Sequence, residues 1–81
     1  PNNLKKIGVI AASAGNHAQG VAYSAQYFNI PAIIVMPEST PLTKINGVKS
    51  YGAKVVLKGA NYDEAYEYAK ELVNKNKMNF I

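Results

Sequence analysis

Three times in this chain a short apolar run gives way to a turn, and then to a segment whose apolar residues recur at helical spacing. Ile7–Ala12 precedes Val21, Ala22, Ala25 and Phe28. Ala32–Met36 precedes Leu42, Ile45 and Val48. Lys54–Leu57 precedes Tyr62, Ala65, Tyr66, Ala69, Leu72 and Val73, and a fourth run, Met78–Ile81, closes the series. Strands that alternate with helices through short connections pair in parallel, because parallel neighbours need a crossover and the helix supplies it. Ala32–Met36 is apolar at every position, which suits a strand covered on both faces. The sequence therefore predicts an α/β fold with three αβα layers and a four-stranded parallel sheet. The predicted strand order is 3-2-1-4, and 81 residues make one small domain over positions 1–81. A hydrophobic content of 48% supports a folded core.

Local chemistry sets the boundaries. Asn16 is placed to cap a helix running from about His17 to Phe28. Asn29-Ile30-Pro31 ends it, since the residue before proline avoids the helical region. Thr40-Pro41 reads as an N-cap followed by a first-turn proline, and Gly52 as the end of that second helix. Asn61 with Glu64 three residues on is a variant of the capping box. Glu71 and Lys75 are spaced to pair across one turn of the third helix.

Ligands in open parallel sheets bind beyond the carboxyl ends of the strands, where the strand order reverses. With strand one at that switch, the loop that leaves it is Ser13-Ala14-Gly15-Asn16. Small residues there leave backbone N–H groups open at a helix N-terminus, and such a site favours an anion. Ser13 adds a hydroxyl, or serves only as a turn residue. Ala14 offers its backbone alone, and Gly15 permits close approach. Asn16 can donate and accept through its amide, and it can cap the helix at the same time. His17, the only histidine, has no neighbouring partner for metal binding, and Gln19 is a candidate for orienting the loop.

Nine lysines and no arginine give a net charge of +4. They are scattered, and without arginine there are no bidentate contacts for phosphates or bases, so neither nucleic acid nor a membrane is the expected partner. No cysteine is present, which excludes disulfides and cysteine metal sites and fits a cytoplasmic protein. No apolar run approaches the roughly 18 residues of a membrane span. Lys44, Lys49, Lys54 and Lys58 fall on a helix face or at strand edges, where a Schiff-base lysine is not expected. No Gly-x-Gly-x-x-Gly or phosphate-loop pattern follows strand one, which argues against a nucleotide-binding module.

The string Ser13-Ala14-Gly15-Asn16-His17-Ala18-Gln19-Gly20 resembles the asparagine loop of the threonine/serine dehydratases, fold-type II enzymes dependent on pyridoxal phosphate (PLP). Ala32-Ile33-Ile34-Val35-Met36-Pro37-Glu38 resembles the family's next strand and turn. Lys44-Ile45 and Ser50-Tyr51-Gly52-Ala53-Lys54-Val55-Val56-Leu57-Lys58-Gly59 resemble its following helix and third strand. The resemblance implies that Asn16 binds the phenolic oxygen of PLP. It also implies that Ser13, Ala14, Gly15, Asn16 and His17 hold the carboxylate of an amino-acid substrate, His17 through its backbone. The implied reaction converts threonine or serine to a 2-oxo acid and ammonia, in isoleucine biosynthesis or threonine catabolism.

Two departures stand out. The family's Ser-x-Lys-x-Arg-Gly motif, which bears the Schiff-base lysine, and its glycine-rich phosphate cup are both absent. The expectation is therefore an internal fragment, the small domain of a larger homo-oligomeric PLP enzyme, with no catalytic residue of its own. Tyr27 and Tyr51 are expected at the surface facing the remaining large domain. The alternatives are a fragment of serine racemase, on the same fold, and a stand-alone α/β module for a small ligand.

Overall fold

The computed structural model describes residues 8–13, 16–76 and 78–81. Its elements are β1 (Val9–Ala12), α1 (Asn16–Tyr27), β2 (Ala32–Met36), α2 (Leu42–Ser50), β3 (Lys54–Leu57), α3 (Tyr62–Asn76) and β4 (Asn79–Phe80). All strand pairs are parallel, and the order is β3-β2-β1-β4. Both findings agree with the sequence reading. Ile7, read as the start of strand one, lies outside the described residues.

Side-chain alternation along the strands divides the core into two halves. Val9 and Ala11 of β1, with Ala32, Ile34 and Met36 of β2, pack against Ala18, Ala22 and Ala25 of α1 and against Ile45 and Val48 of α2. Ile10, Ala12 and Val35 face the opposite way, onto Ala65 and Ala69 of α3. Crossover handedness explains this arrangement. The chain steps from β1 to β2 to β3 in one direction, so right-handed crossovers put α1 and α2 on one face. It then returns past β1 to β4, and the same handedness puts α3 on the other face. The alanines on α1 and α3 let both helices lie close to the sheet.

Helix ends follow the predicted chemistry, with some changes. Asn29 has φ 57°, and at the end of α1 Ile30 N–H donates to Ala25 O (2.7 Å) while Asn29 N–H donates to Gln26 O (3.1 Å). This is a Schellman turn with asparagine in its left-handed position. Gly52, with φ 85°, does the same work after α2, donating to Lys49 O at 2.9 Å. Ahead of α3, Asn61 Oδ1 accepts from Glu64 N–H (3.0 Å), and Glu64 Oε1 reaches back to Ala60 N–H (2.8 Å).

Thr40 does not cap α2. Its hydroxyl donates to Pro37 O at 2.7 Å, and Pro41 holds the cap position without a side-chain bond.

Three residues expected in buried stripes are exposed: Phe28 (55%), Leu42 (68%) and Tyr62 (48%). Phe28 lies past the last residue of α1, where the Schellman turn redirects the chain, and its ring meets Tyr27 edge-on. Leu42 and Tyr62 each begin a helix at the carboxyl edge of the sheet, where the short strands end. On α3 the ion pair among the described residues is Lys70–Glu67 (3.6 Å), not the anticipated Glu71–Lys75 pair. Both of its partners are exposed, so it contributes little.

Candidate functional site

β1 lies between β2 and β4 and is the strand at which the order reverses. Its carboxyl end is therefore the crevice where this architecture binds ligands. α1, which follows β1, and α3, which leads into β4, lie on opposite faces of the sheet, so the carboxyl ends of these two neighbouring strands flank the gap. Ser13 leaves β1 directly into this gap, and α1 begins at Asn16.

Ser13 is 5% exposed, and among the described residues it is the polar one that is buried. Its N–H donates to Val35 O at 3.1 Å, which extends the β1–β2 ladder by one residue. That amide is committed to the sheet, so any contact Ser13 makes with a ligand falls to its hydroxyl. The sequence alone gave no sign of this division of labour. Ala14 and Gly15, expected to offer backbone N–H groups, lie outside the described residues.

Asn16 is exposed and occupies the first position of α1, one residue earlier than the predicted helix start. The first turn of α1 contains no acidic residue, so nothing on it opposes an anion. At α3, by contrast, Asp63 and Glu64 fall in the first turn, Asn61 Oδ1 accepts from Glu64 N–H, and Glu64 Oε1 accepts from Ala60 N–H just ahead of the helix. Ser13 and Asn16 thus bracket a short segment at a helix N-terminus and bring a hydroxyl and an amide to the same end of the sheet. These are donors suited to carboxylate or phenolate oxygen. A ring oxygen of PLP and a carboxylate both fit that donor set.

His17 is exposed and is among the residues lining a groove of about 470 Å³ between α1 and the end of β4, together with Val21, Phe28, Ile30 and Ile81. Among the described residues no cluster of three His, Cys, Asp or Glu side chains is disposed to hold a metal ion. Lys44, Lys49, Lys54 and Lys58 are all exposed. Lys58 sits over the Tyr68 ring, its Nζ 5.4 Å from the centroid. Among the described residues no helix is long and apolar enough to cross a membrane.

A family model described as pyridoxal-phosphate dependent enzyme matches residues 2–81. The chain is 54% identical over 77 residues to the biosynthetic L-threonine dehydratase of Pasteurella multocida (strain Pm70), covering 95% of this chain and 15% of that protein. The processed form of threonine deaminase isoform 2 from Solanum lycopersicum superposes with a TM-score of 0.91 at 51% identity, over 99% of this chain and 23% of that one. Maize serine racemase superposes with a TM-score of 0.92 at 31% identity, over 100% of this chain and 25% of that one.

Proposed function

The chain belongs to the pyridoxal-phosphate dependent enzyme family, and from that premise we propose that it is the small domain of a threonine dehydratase. Sequence similarity carries this reading: identity is 54% and 51% to a threonine dehydratase and a threonine deaminase, against 31% to a serine racemase of equal structural likeness. The whole enzyme eliminates water from L-threonine, or from L-serine, and the enamine released takes up water again as it hydrolyses to a 2-oxo acid and ammonia. We place it in the cytoplasm as a homo-oligomer.

PLP, when bound, supplies an electron sink for the charge that develops at the substrate α-carbon. This chain's residues work around that chemistry. Asn16 donates its amide N–H to the cofactor's ring oxygen. The Ser13 hydroxyl and the backbone of Ala14, Gly15 and His17 hold the substrate carboxylate. Two donors fixed on a strand end and a helix start leave the amino acid little rotational freedom, which aligns the α-carbon bond to be broken. Ser13 is itself buried, and a hydrogen bond made away from bulk solvent is the stronger for it.

The Schiff-base lysine and the phosphate cup belong to the larger domain. Among the described residues every lysine is exposed, whereas that role requires desolvation. Mixed with PLP, the 81-residue chain is expected to give no stoichiometric, borohydride-reducible adduct on one specific lysine.

The experiment that decides the reaction uses the full-length enzyme with L-threonine, L-serine and D-serine in turn. Ammonia and 2-oxobutanoate from L-threonine are the expected products. Conversion of L-serine to D-serine, with no ammonia from L-threonine, assigns the chain to a racemase.

A further inference from the structure

Gly47 stands inside α2, in helical conformation, where glycine is the least favourable residue after proline. Its backbone has no need of glycine, so the missing side chain needs another explanation. A Cβ at this position would lie 3.0 Å from Gln19 Nε2, 3.4 Å from Gln19 Cδ and 3.9 Å from its Cγ. Gly47 is therefore a seat for the Gln19 side chain, which crosses from α1 to α2.

Gln19 lies one turn after Asn16 and directly after Ala18, which is fully buried against the sheet. Neighbouring helical positions point about 100° apart. Ala18 fixes the distance of the first turn from the sheet, and Gln19 fixes its rotation about the helix axis. Asn16 and His17 themselves are exposed, so the bearing of that turn depends on these two anchors.

We propose that Gln19, seated on Gly47, is a positioning residue that sets the rotation of the first turn of α1 and thereby aims Asn16 at its ligand oxygen. The inference rests on the reading of Asn16 given under the proposed function. Gln19 acts through the helix and touches no reacting atom.

The contact separates stability from function in an unusual way. Alanine at position 47 improves helix propensity, and the neighbour it crowds is the far end of a flexible side chain, so folding survives. Gln19 must yield by a few tenths of an ångström, and the first turn moves with it. Displacements of about 1 Å near reacting groups cost on the order of a hundredfold in rate, so a smaller shift predicts a loss of about three- to thirtyfold in kcat.

The test uses the full-length holoenzyme with Gly47→Ala, Gln19→Ala, the double variant and Gln19→Met. Each single alanine variant is expected to lower kcat more than it changes KM and to shift the cofactor's visible absorption band. Gly47→Ala should do so without lowering Tm. In the double variant the Gly47→Ala penalty disappears, because the side chain it crowds is gone, and Gln19→Met, similar in length, restores most of the activity. In the apoenzyme, amide exchange in the first turn of α1 should quicken for Gln19→Ala.

Additive effects of the two alanine substitutions, or unchanged kcat and absorption in both, overturn the proposal. Asn16→Ala, measured alongside, separates the two readings. If Asn16→Ala impairs turnover while the Gln19 and Gly47 variants do not, only the positioning role fails. If Asn16→Ala is silent, the assignment of Asn16 itself fails.

Discussion

Ser13 and Asn16 approach the same crevice from different structural states, and their substitutions should read differently. Asn16 is exposed and makes no contribution to either half of the core. Asn16→Ala in the full-length enzyme should therefore leave folding and cofactor retention intact while slowing turnover. A hydrogen bond to a charged or polarised group is worth roughly 1.5–3 kcal/mol, so kcat/KM should fall about ten- to a hundredfold. Wild-type kcat/KM in that variant removes Asn16 from the site. Ser13 is buried, and its backbone bond to Val35 survives side-chain truncation. Ser13→Ala loses only the hydroxyl, whose bond to a charged carboxylate is worth roughly 1.5–3 kcal/mol. The expected result is a KM for threonine raised about ten- to a hundredfold with kcat nearly unchanged, the pattern of lost uniform binding. A fall in kcat at constant KM would place the hydroxyl on the reacting atoms instead.

Among the elements, Gly52 offers the cleanest test of how the chain ends its helices. Its φ is 85°, and a Cβ there would meet nothing within 4 Å. Gly52→Ala therefore imposes backbone strain without a clash, and should destabilise the protein by about 1–2 kcal/mol. An unmoved denaturation midpoint would show that the left-handed turn after α2 is dispensable. Gly52 was legible in the sequence because glycine has one common role at a helix end. Asn29 was not, although it performs the same role after α1. Asparagine suits caps, turns and surfaces alike, and Pro31 was the stronger signal for a break. Parallel pairing was legible through the alternation of strands and helices and the wholly apolar Ala32–Met36. The order 3-2-1-4 agrees with the structure, but those constraints allow it without imposing it, since none of them sets where the fourth strand pairs. Burial at helix starts was not. Leu42 and Tyr62 continue the apolar period of their helices, but whether a strand lies beneath them depends on where each strand stops. In the candidate site, the loop sequence singled out Ser13 and Asn16, which the structure brings to one end of the sheet. It did not reveal that Ser13 spends its N–H on β2, because that follows from pairing between distant segments.

At the scale of the whole molecule, the apolar surface is unevenly covered. Tyr23, Tyr27 and Phe28 on or after α1 are 55%, 73% and 55% exposed, and Phe80 and Ile81 at β4 are 36% and 53% exposed. Phe28 and Ile81 line a groove of about 470 Å³ that also takes in Val9 and Ala25, while Phe80 meets Tyr66 of α3. α1 and α2 cover β1 to β3 on this face, and no described helix covers the β4 side. Tyr51, expected with Tyr27 at the surface facing the large domain, is half-buried, with its ring edge-on to Tyr23 at 5.5 Å. Exposed apolar patches beyond a few hundred Å² tend to find partners. β4 is also a short edge strand, and its unpaired backbone groups are open to another chain. The 81-residue chain by itself is therefore expected to self-associate. Its net charge of +4 opposes this at low salt, and moderate ionic strength screens that repulsion. Association should accordingly strengthen as salt is raised from low to moderate, the reverse of an interface built on ion pairs. Sedimentation over a protein concentration series, repeated at two salt concentrations, measures it. Phe28→Ser with Ile81→Ser should weaken association without unfolding the domain, since neither side chain belongs to the buried core. A monomer at high micromolar concentration and moderate salt would mean that the α1–β4 face is too small or too well hydrated to attract a second copy, and would favour a domain that binds its ligand alone.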